Sequence, residues 1–368
     1  MRLTEEDQNL LRASAAALLQ SEAPVAALRS LRENRPPRGF DDRLWLKMAE
    51  QGWLGVLVDE ENGGLGLGFG GATILCQAMG RQLAASPFVS TSIMATMALQ
   101  GGPVDRNRRG WLERIVAGQA IVALAVEEGG RHQPDSVTLS ETLTDRGWVL
   151  SGTKSFVPDG LGADAYLVTA RQGDEVLMLL VDAKAQNLTI EKLEIVDSRG
   201  AAGLHFDRVV AAETVSIRGG AILAQTLDAG RLGLAAELLG ISEEVFSRTV
   251  DYLKQRRQFG HSLASYQALQ HRAGVLYCEI EVLRSVVYAA ARAADEDLLA
   301  AGDMVSAAKA KAIQVARQAV SEAVQLHGGI GMTDELDIGL FMKRVRVAAE
   351  TLGNEYFHLD RFALLEGF

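Results

Sequence analysis

Residues 256–267 read RRQFGHSLASYQ and separate two long stretches in which apolar residues recur at helical spacing. Counted outward from this segment, the spacing predicts four long helices, at roughly 219–256, 262–295, 300–327 and 333–365. A glycine-containing turn comes after each of the first three helices, at Phe259-Gly260, Ala301-Gly302 and Gly328-Gly329. Four long helices in succession predict a carboxy-terminal helical bundle over residues 219–368.

The sequence before the bundle changes its pattern twice. Between about Gln119 and Arg218, short apolar runs such as IVALAV, GWVL, AYLVTA, VLMLLVDA and LTIEKL are separated by Gly, Asp, Pro and Asn, which predicts a middle β domain over 119–218. From Thr4 to about Gly118 the spacing is helical again and predicts a helical domain over 1–118. The order predicts an α+β chain, mostly α, with a barrel-like middle domain, and argues against a doubly wound parallel sheet.

Composition narrows the classes of function. Of 368 residues, 48% are apolar and 23% charged, which excludes a disordered chain, and no apolar run approaches the ~20 residues that cross a bilayer. The net charge of −10 disfavours nucleic acid as a partner, although a few local arginines can still hold a phosphate. The amino terminus lacks the features of a signal peptide, so we expect a cytoplasmic protein. Cys76 and Cys278 stand in apolar helical patterns and are predicted to be buried, reduced thiols.

Two common site motifs are absent or weak. Residues 66–71, GLGFGG, fit the G-x-G-x-x-G dinucleotide pattern and follow the strand-like GVLV, but the polar DEENGG separates the two. A glycine-rich turn that opens a helix is therefore favoured over a nicotinamide site. The six histidines and two cysteines show no metal-ligand spacing, and no metal is predicted.

The ends of the bundle helices carry the candidate binding residues. Arg256 could contact a phosphate, and Phe259 with Gln267, one or two turns into the next helix, could hold the edge of an adenine. In the segment QLHGGIG, Gln325 precedes Gly328 and Gly329, whose bare backbone allows a pyrophosphate to approach closely. Taken singly, each motif could equally be ordinary helix capping.

In this order and on this bundle, these motifs resemble the acyl-CoA dehydrogenase family. Its R-x-x-F-G followed by glutamine matches residues 256–260 and Gln267, and its Q-x-F-G-G-x-G matches residues 325–331 with His327 in place of phenylalanine. The resemblance extends over nearly the whole chain, through GWLGVLVDEENGGLGLG, GWVLSGTKSFVPDG and LHFDRVVAAE. It implies FAD at a subunit interface, where one chain supplies the base and the isoalloxazine contacts. The neighbouring chain supplies the arginine, glutamine and glycine contacts to pyrophosphate and adenine.

The residues that the family uses for chemistry are missing here. In the family a glutamate removes the α-proton of an acyl-CoA while the β-hydrogen leaves as hydride to the flavin. An ungapped count from Gln325 places Leu352, just before Gly353, where that glutamate commonly stands; the family's other address for the base is Gly230. The family's T-E-P-x-x-G-S-D and W-I-T segments are replaced by VEEGGRHQ and by FVP at 156–158. No catalytic residue is assigned in this chain.

This combination resembles the base-deficient subunits of heteromeric acyl-CoA dehydrogenases of the sterol side-chain type. It implies an acyl-CoA substrate, a paralogous subunit in a heterotetramer, and an electron-transferring flavoprotein as acceptor. Two alternatives stay open: a self-sufficient homo-oligomer with a displaced carboxylate such as Glu350 or Glu355, and a non-catalytic subunit that stabilises or regulates a partner. A related flavoprotein oxygenase is also conceivable, although no residue marks an oxygen site.

Overall fold

The computed structural model of the protein describes residues 3–101, 105–145, 147–211 and 216–368. Its α-helices are α1 (Glu5–Glu22), α2 (Val25–Asn34), α3 (Asp42–Glu50), α4 (Gly68–Gln82), α5 (Thr96–Gln100), α6 (Arg106–Val116), α7 (Gly220–Gln255), α8 (Gln267–Asp297), α9 (Gly302–His327), α10 (Ile338–Glu350) and α11 (Glu355–Leu365). Its strands are β1 (Val122–Ala125), β2 (Ser140–Thr144), β3 (Gly147–Pro158), β4 (Ala165–Gln172), β5 (Glu175–Asp182), β6 (Leu188–Leu193), β7 (Ala201–Val210), β8 (Ser216–Arg218), β9 (Arg257–Gln258) and β10 (His261–Ser262). Helices, then strands, then helices confirm the predicted fold class.

The chain divides into two compact units that are both discontinuous in sequence. The first contains Leu3, Arg29–Ala72 and Ala85–Gly230, and the second contains Thr4–Leu28, Thr73–Ala84 and Arg231–Phe368. The division into three domains at residues 118 and 218 stays a prediction. In the described ranges, no helix has both the length and the apolar character needed to span a membrane.

The first unit is built around one curled sheet. Its strand order is β6-β7-β3-β2-β4-β5-β8, and β1 pairs in parallel with β4. The central strand β4 is buried from Ala165 to Ala170 on both faces, whereas β2 is largely exposed. The five apolar runs in the sequence fall on β1, β3, β4, β5 and β6, whereas the strand-like GVLV at residues 55–58 forms no strand. Residues 53–55 form a 3-10 turn instead, because the backbones of Gly55 and Val56 accept from Leu65 and Leu67.

The second unit centres on α9, which packs against α8, α10 and α11. Small side chains recur along its buried side at intervals of three or four residues, at Ala308, Ala312, Ala316, Ala319 and Ala323. Such spacing keeps one face of a helix small, so that neighbouring helices can approach closely. The predicted bundle is thus organised by one alanine-lined helix.

The fourth predicted helix, over 333–365, is wrong as a single element. It is divided into α10 and α11, because Leu352 and Gly353 take left-handed backbone conformations with φ of 59° and 106°. Asn354 then caps α11 by accepting from the Phe357 backbone N–H at 3.0 Å. The break falls at the position where the family resemblance places a glutamate.

The predicted burial of both cysteines is wrong for one of them. Cys76 is buried, but Cys278 is exposed on α8. Val275 and Tyr277 on the same helix are 57% and 52% exposed although they are apolar. Helical spacing identifies an apolar face but does not say whether the same chain covers it.

Two glycines allow α4 and α7 to touch within the second unit. A Cβ atom on Gly240 would lie 1.9 Å from the Gln77 carbonyl oxygen, and one on Gly80 would lie 2.1 Å from the Glu237 carbonyl oxygen.

We expect Gly240→Ala to lower the free energy of unfolding by about 3 kcal/mol, because the backbones must separate. Chemical denaturation measures this. Gly274→Ala is the matched control, since nothing lies within 4 Å of its Cβ position; it should be neutral or stabilising by up to ~1 kcal/mol. Similar losses in both variants would contradict the prediction.

Candidate functional site

A tight hairpin follows α7 and carries the first candidate residues. The Arg256 backbone N–H donates to the Tyr252 carbonyl at 2.8 Å, and β9 and β10 then pair antiparallel. Phe259 and Gly260 form the turn with φ of 54° and 84°, as the sequence predicted. Arg256 is exposed, and the Phe259 side chain is 91% exposed at the tip. The hairpin therefore presents a cation and an aromatic ring outward.

Gln267 is tied to this hairpin. It is the first residue of α8, so its predicted place one or two turns inside the helix is wrong; the 3-10 turn Leu263–Ser265 precedes it. The Tyr266 hydroxyl donates to the Gln258 carbonyl at 3.0 Å, and the Leu263 N–H donates to the Arg256 carbonyl at 2.8 Å. These bonds join the start of α8 to the hairpin.

The end of α9 meets the end of α7 through an aromatic pair. The rings of Tyr252 and His327 stack with centroids 4.3 Å apart, and the Tyr252 hydroxyl donates to the His327 carbonyl at 3.2 Å. Tyr252 precedes Arg256 by one helical turn, and His327 precedes Gly328 directly. The pair thus brings together the two motifs that lie about seventy residues apart in sequence. Sequence reasoning noted His327 as a departure but missed Tyr252, whose only signal was its place in the last turn of α7.

The turn after α9 forms an open cradle. Gln325, Gly328 and Gly329 are exposed, and a Cβ atom on either glycine would meet nothing within 4 Å. Gly331 is different, because its Cβ would lie 2.6 Å from the Val324 carbonyl oxygen. Bare backbone beside an exposed arginine, amides and an aromatic ring suits a ligand that carries a pyrophosphate and an adenine.

The buried His327 makes this junction sensitive to acid. Burial lowers the pKa of His327, although the Ala323 carbonyl, 2.8 Å from Nδ1, opposes the shift. Between its ordinary pKa near 6.5 and the lower folded value, the unfolded chain binds a proton that the folded chain does not. The free energy of unfolding should therefore fall as the pH drops below about 6.5.

We expect His327→Phe to remove this part of the pH dependence while keeping the stack on Tyr252. Denaturation of both proteins between about pH 8 and pH 5 should show that the free energy of unfolding of the native chain decreases relative to that of the variant as the pH falls. His261→Phe, at an exposed site, is the control. Parallel curves for the native chain and His327→Phe would contradict the role given to His327.

The break between α10 and α11 is held by two buried cations. Leu352 is only 7% exposed, and its carbonyl accepts from Arg231 Nε at 3.1 Å. The Arg231 guanidinium also lies over the Phe357 ring, 5.1 Å from its centroid. Lys309 Nζ donates to the Ala348 carbonyl at 2.8 Å. The turn therefore keeps a fixed backbone around a buried leucine.

The carboxylates beside Leu352 are engaged elsewhere. Arg317 contacts both, with its Nη2 at 3.1 Å from Glu350 and its Nη1 at 3.3 Å from Glu355. Arg346 lies 3.9 Å from Glu350, and Gln314 donates to Glu355 at 2.8 Å. Each of the two carboxylates is therefore paired with an arginine at a partly exposed position.

In the first unit, the segment that replaces T-E-P-x-x-G-S-D makes hydrogen bonds within itself and to β3. Glu127 lies 2.5 Å from His132 Nδ1, and its carbonyl accepts from the Ser155 N–H at 2.7 Å. Glu128 accepts from Lys154 Nζ at 2.6 Å. Burial lowers the pKa of Lys154 to about 8, with the neighbouring Glu128 opposing the shift. The contacts of Lys154 and Ser155 connect this segment to β3, which ends in the Phe156–Pro158 stretch.

Comparison with known proteins identifies the fold. Residues 5–119 match the acyl-CoA dehydrogenase N-terminal domain, and residues 218–363 match the acyl-CoA dehydrogenase C-terminal domain. Acyl-CoA dehydrogenase IpdE2 from Mycobacterium tuberculosis is 30% identical over 352 residues, which cover 94% of this chain and 93% of that protein. The chain belongs to the acyl-CoA dehydrogenase family. Members of this family are FAD-dependent oxidoreductases that act on CH–CH bonds.

Solved structures agree with the acyl-CoA dehydrogenase assignment. A variant of the Tcur3481-Tcur3483 steroid ACAD is 31% identical, with a TM-score of 0.89 and 98% of each chain covered. The ChsE4-ChsE5 complex from Mycobacterium tuberculosis is 23% identical, with a TM-score of 0.90 over 100% of this chain and 99% of that one, and shows the shared fold. The family predicted from the sequence is confirmed.

Proposed function

We propose that this chain is the base-deficient subunit of a heteromeric, FAD-dependent acyl-CoA dehydrogenase that introduces an α,β double bond into an acyl-CoA thioester. The observation that carries the proposal is the buried Leu352, at the position where the family resemblance places a glutamate. A paralogous subunit would supply the base and the isoalloxazine contacts. This chain would supply the contacts to the other half of the flavin cofactor.

The turn at Leu352 favours a shared site over a displaced base. Its left-handed backbone and its bond to Arg231 keep the turn in place, but a leucine side chain accepts no proton. Glu350 is the nearest substitute in sequence, and its carboxylate lies beside Arg317 and Arg346. A self-sufficient enzyme would have to break those ion pairs in order to use it.

The exposed cradle at the bundle supports the cofactor half of the proposal. Arg256 would bind the pyrophosphate, while Phe259 and Gln267 would contact the adenosine. Gln325, Gly328 and Gly329 would complete the pocket. Bound FAD supplies the hydride acceptor for the reaction. All six residues are exposed in the single chain, as a pocket shared with a neighbouring subunit requires.

Exposed apolar side chains in the second unit support a protein partner. Phe259, Val275, Tyr277, Val282 and Met332 are 91%, 57%, 52%, 49% and 74% exposed. Exposed apolar groups of this size are typical of an interface that another subunit covers. The steroid ACAD Tcur3481-Tcur3483 and the ChsE4-ChsE5 complex are each named for two components. We propose a paralogue as the partner, electron-transferring flavoprotein as the acceptor, and the cytoplasm as the location.

The test is to purify the chain alone and together with a paralogous acyl-CoA dehydrogenase subunit encoded beside it, and to record flavin absorbance and acyl-CoA oxidation for each. We expect a colourless lone chain and a yellow, active pair. In the pair, replacing the partner's glutamate should abolish turnover, whereas Leu352→Ala should leave kcat within about threefold, because Leu352 takes no part in proton transfer.

Two results would overturn the proposal. A lone chain that binds FAD stoichiometrically and oxidises acyl-CoA would establish a self-sufficient enzyme, and loss of that activity in Glu350→Gln would identify its base. A pair that forms but is colourless, with no flavin at the shared interface, would favour a structural or regulatory subunit.

A further inference from the structure

The first unit contains an open cavity of about 210 Å³ that is formed by none of the residues given to the flavin cofactor. Its walls come from the end of α2, the loop at 35–39, and the segment that joins β6 to β7. The charged residues that line it are Arg32, Arg35, Lys192, Glu194 and Arg199. Leu31, Leu161, Leu193 and Ile195 supply its apolar surface.

The charge of the cavity is opposite to that of the whole chain. The lining residues include four cationic side chains and one carboxylate, a formal charge of +3 in a chain of net charge −10. Asp197, an acid in the neighbouring loop, is 4% exposed and accepts from the Arg199 backbone N–H at 3.3 Å. A positive concavity on an acidic protein attracts anions selectively.

Two of the lining cations, Lys192 and Arg35, lie near the lining carboxylate. Glu194 lies 2.8 Å from Lys192 Nζ and 4.0 Å from Arg35 Nη1. Lys192 lowers the pKa of Glu194 by hydrogen bonding, so this acid stays ionised at neutral pH. A lysine carries three donor hydrogens and an arginine five, which leaves capacity for the several oxygens of a second anion.

The backbone around the cavity is fixed before any ligand arrives. A Cβ atom on Gly39, whose φ is 76°, would lie 2.4 Å from the Gly200 Cα, so the two chain segments touch directly. Arg35 and Ser198 have left-handed φ angles of 45° and 64°, a conformation that costs free energy in non-glycine residues.

Hydrogen bonds from Arg38 hold the loop at residues 35–39 in place. Its Nε and Nη2 donate to the Gly162 carbonyl at 3.0 and 2.8 Å, and its Nη1 lies 3.1 Å from Asp42. A backbone held in this way reduces the ordering cost of binding at its surface.

We propose that this cavity binds a phosphoryl group. Arginine forks match the tetrahedral oxygens of a phosphate, and the cavity exceeds the size of one such group, so inorganic phosphate or a phosphate monoester can enter. The monoester source that the family supplies is the 3′-phosphate of coenzyme A. The site does not depend on flavin binding or on dehydrogenation, so it stands or falls separately from the proposed function.

The experiment is isothermal titration of the purified protein, in whatever assembly it forms, with inorganic phosphate, coenzyme A and dephospho-coenzyme A. The variant Arg35→Gln with Lys192→Gln should weaken phosphate binding about a hundredfold, at roughly tenfold for each cation removed. Arg106→Gln with Arg109→Gln is the matched control, because it removes the same charge from exposed positions on α6 and should change affinity less than about threefold.

A second variant, which is expected to bind phosphate more tightly, keeps the test independent of folding defects. Glu194→Gln removes the competing carboxylate and should tighten phosphate binding severalfold. If coenzyme A loses affinity in the Arg35/Lys192 variant and dephospho-coenzyme A does not, the 3′-phosphate is the source. If the Arg35/Lys192 variant loses affinity for inorganic phosphate but not for coenzyme A, the source is free phosphate. Phosphate affinity that is unmeasurable at millimolar concentration, or equal in all variants, would overturn the proposal.

Discussion

Replacement of Arg256 by glutamine is expected to raise the Kd for FAD of the assembled enzyme about a hundredfold. A guanidinium that binds a pyrophosphate makes two charge-assisted hydrogen bonds, each worth about 1.5–3 kcal/mol in a partly buried site, and glutamine retains neither the charge nor the fork. The measurement is FAD retained after gel filtration, followed by titration of the apoprotein with FAD.

Arg257→Gln is the control for this prediction. Arg257 is the next residue of the same exposed hairpin, carries the same charge, and has only a long bond of 3.4 Å to the Gly260 carbonyl. We expect its FAD affinity to stay within about threefold of the native value, since exposed charges contribute little. Equal losses in the two variants would assign the effect to the net charge of the hairpin, and no loss in Arg256→Gln would exclude it from the cofactor pocket.

The second large effect concerns Lys309, a lysine buried in the bundle. Burial, with further repulsion from Arg231 and Arg344, lowers the pKa of Lys309 to about 7. Below that pH both the folded and the unfolded chain carry the proton, and the folded chain bears the full cost of a buried cation. Between about 7 and the ordinary value of 10.5, only the unfolded chain holds the proton. The free energy of unfolding should therefore rise with pH across this interval, by roughly 5 kcal/mol at 1.36 kcal/mol per pH unit.

Lys309→Met removes the titrating group at similar length. Its loss of the hydrogen bond to the Ala348 carbonyl is nearly independent of pH, so the native chain should gain on the variant steadily from pH 7 to about pH 10. Denaturant unfolding at several pH values gives the difference. Lys254→Met, at a position whose side chain is 65% exposed, should show no such trend. A constant difference between the native chain and Lys309→Met would contradict the buried-cation account.

Local patterns in the sequence were sufficient to predict most of the helices and strands and the family. Apolar runs marked β1 and β3–β6. For β1, β4 and β5, which are buried along most of their length, a short continuous apolar segment was sufficient. The turn at Phe259-Gly260 was predictable because glycine favours left-handed backbone. Ordered motifs from Arg256 to Gly331 carried the family resemblance, and the ungapped count to Leu352 predicts that the family's glutamate is missing.

Other features depended on contacts between residues far apart in the chain. In the sequence, helical spacing continues without interruption through residue 352. In the folded chain Leu352 has a left-handed backbone, and its carbonyl accepts from Arg231, 121 residues earlier. The role of Tyr252 is visible only from its stacking on His327 in the folded chain. Periodicity could not distinguish the exposed Cys278 from a core residue.

The sequence by itself determined most of the helices and strands and the family to which the chain belongs, and it predicts that the family's catalytic glutamate is absent. The tertiary structure alone decided where the last helix breaks, how the ends of α7 and α9 meet, and how four cations gather in one cavity. The reason is physical: spacing and propensity act within a few residues, whereas burial, ion pairing and the close contact of Gly39 with Gly200 are set by segments that meet only in the folded chain.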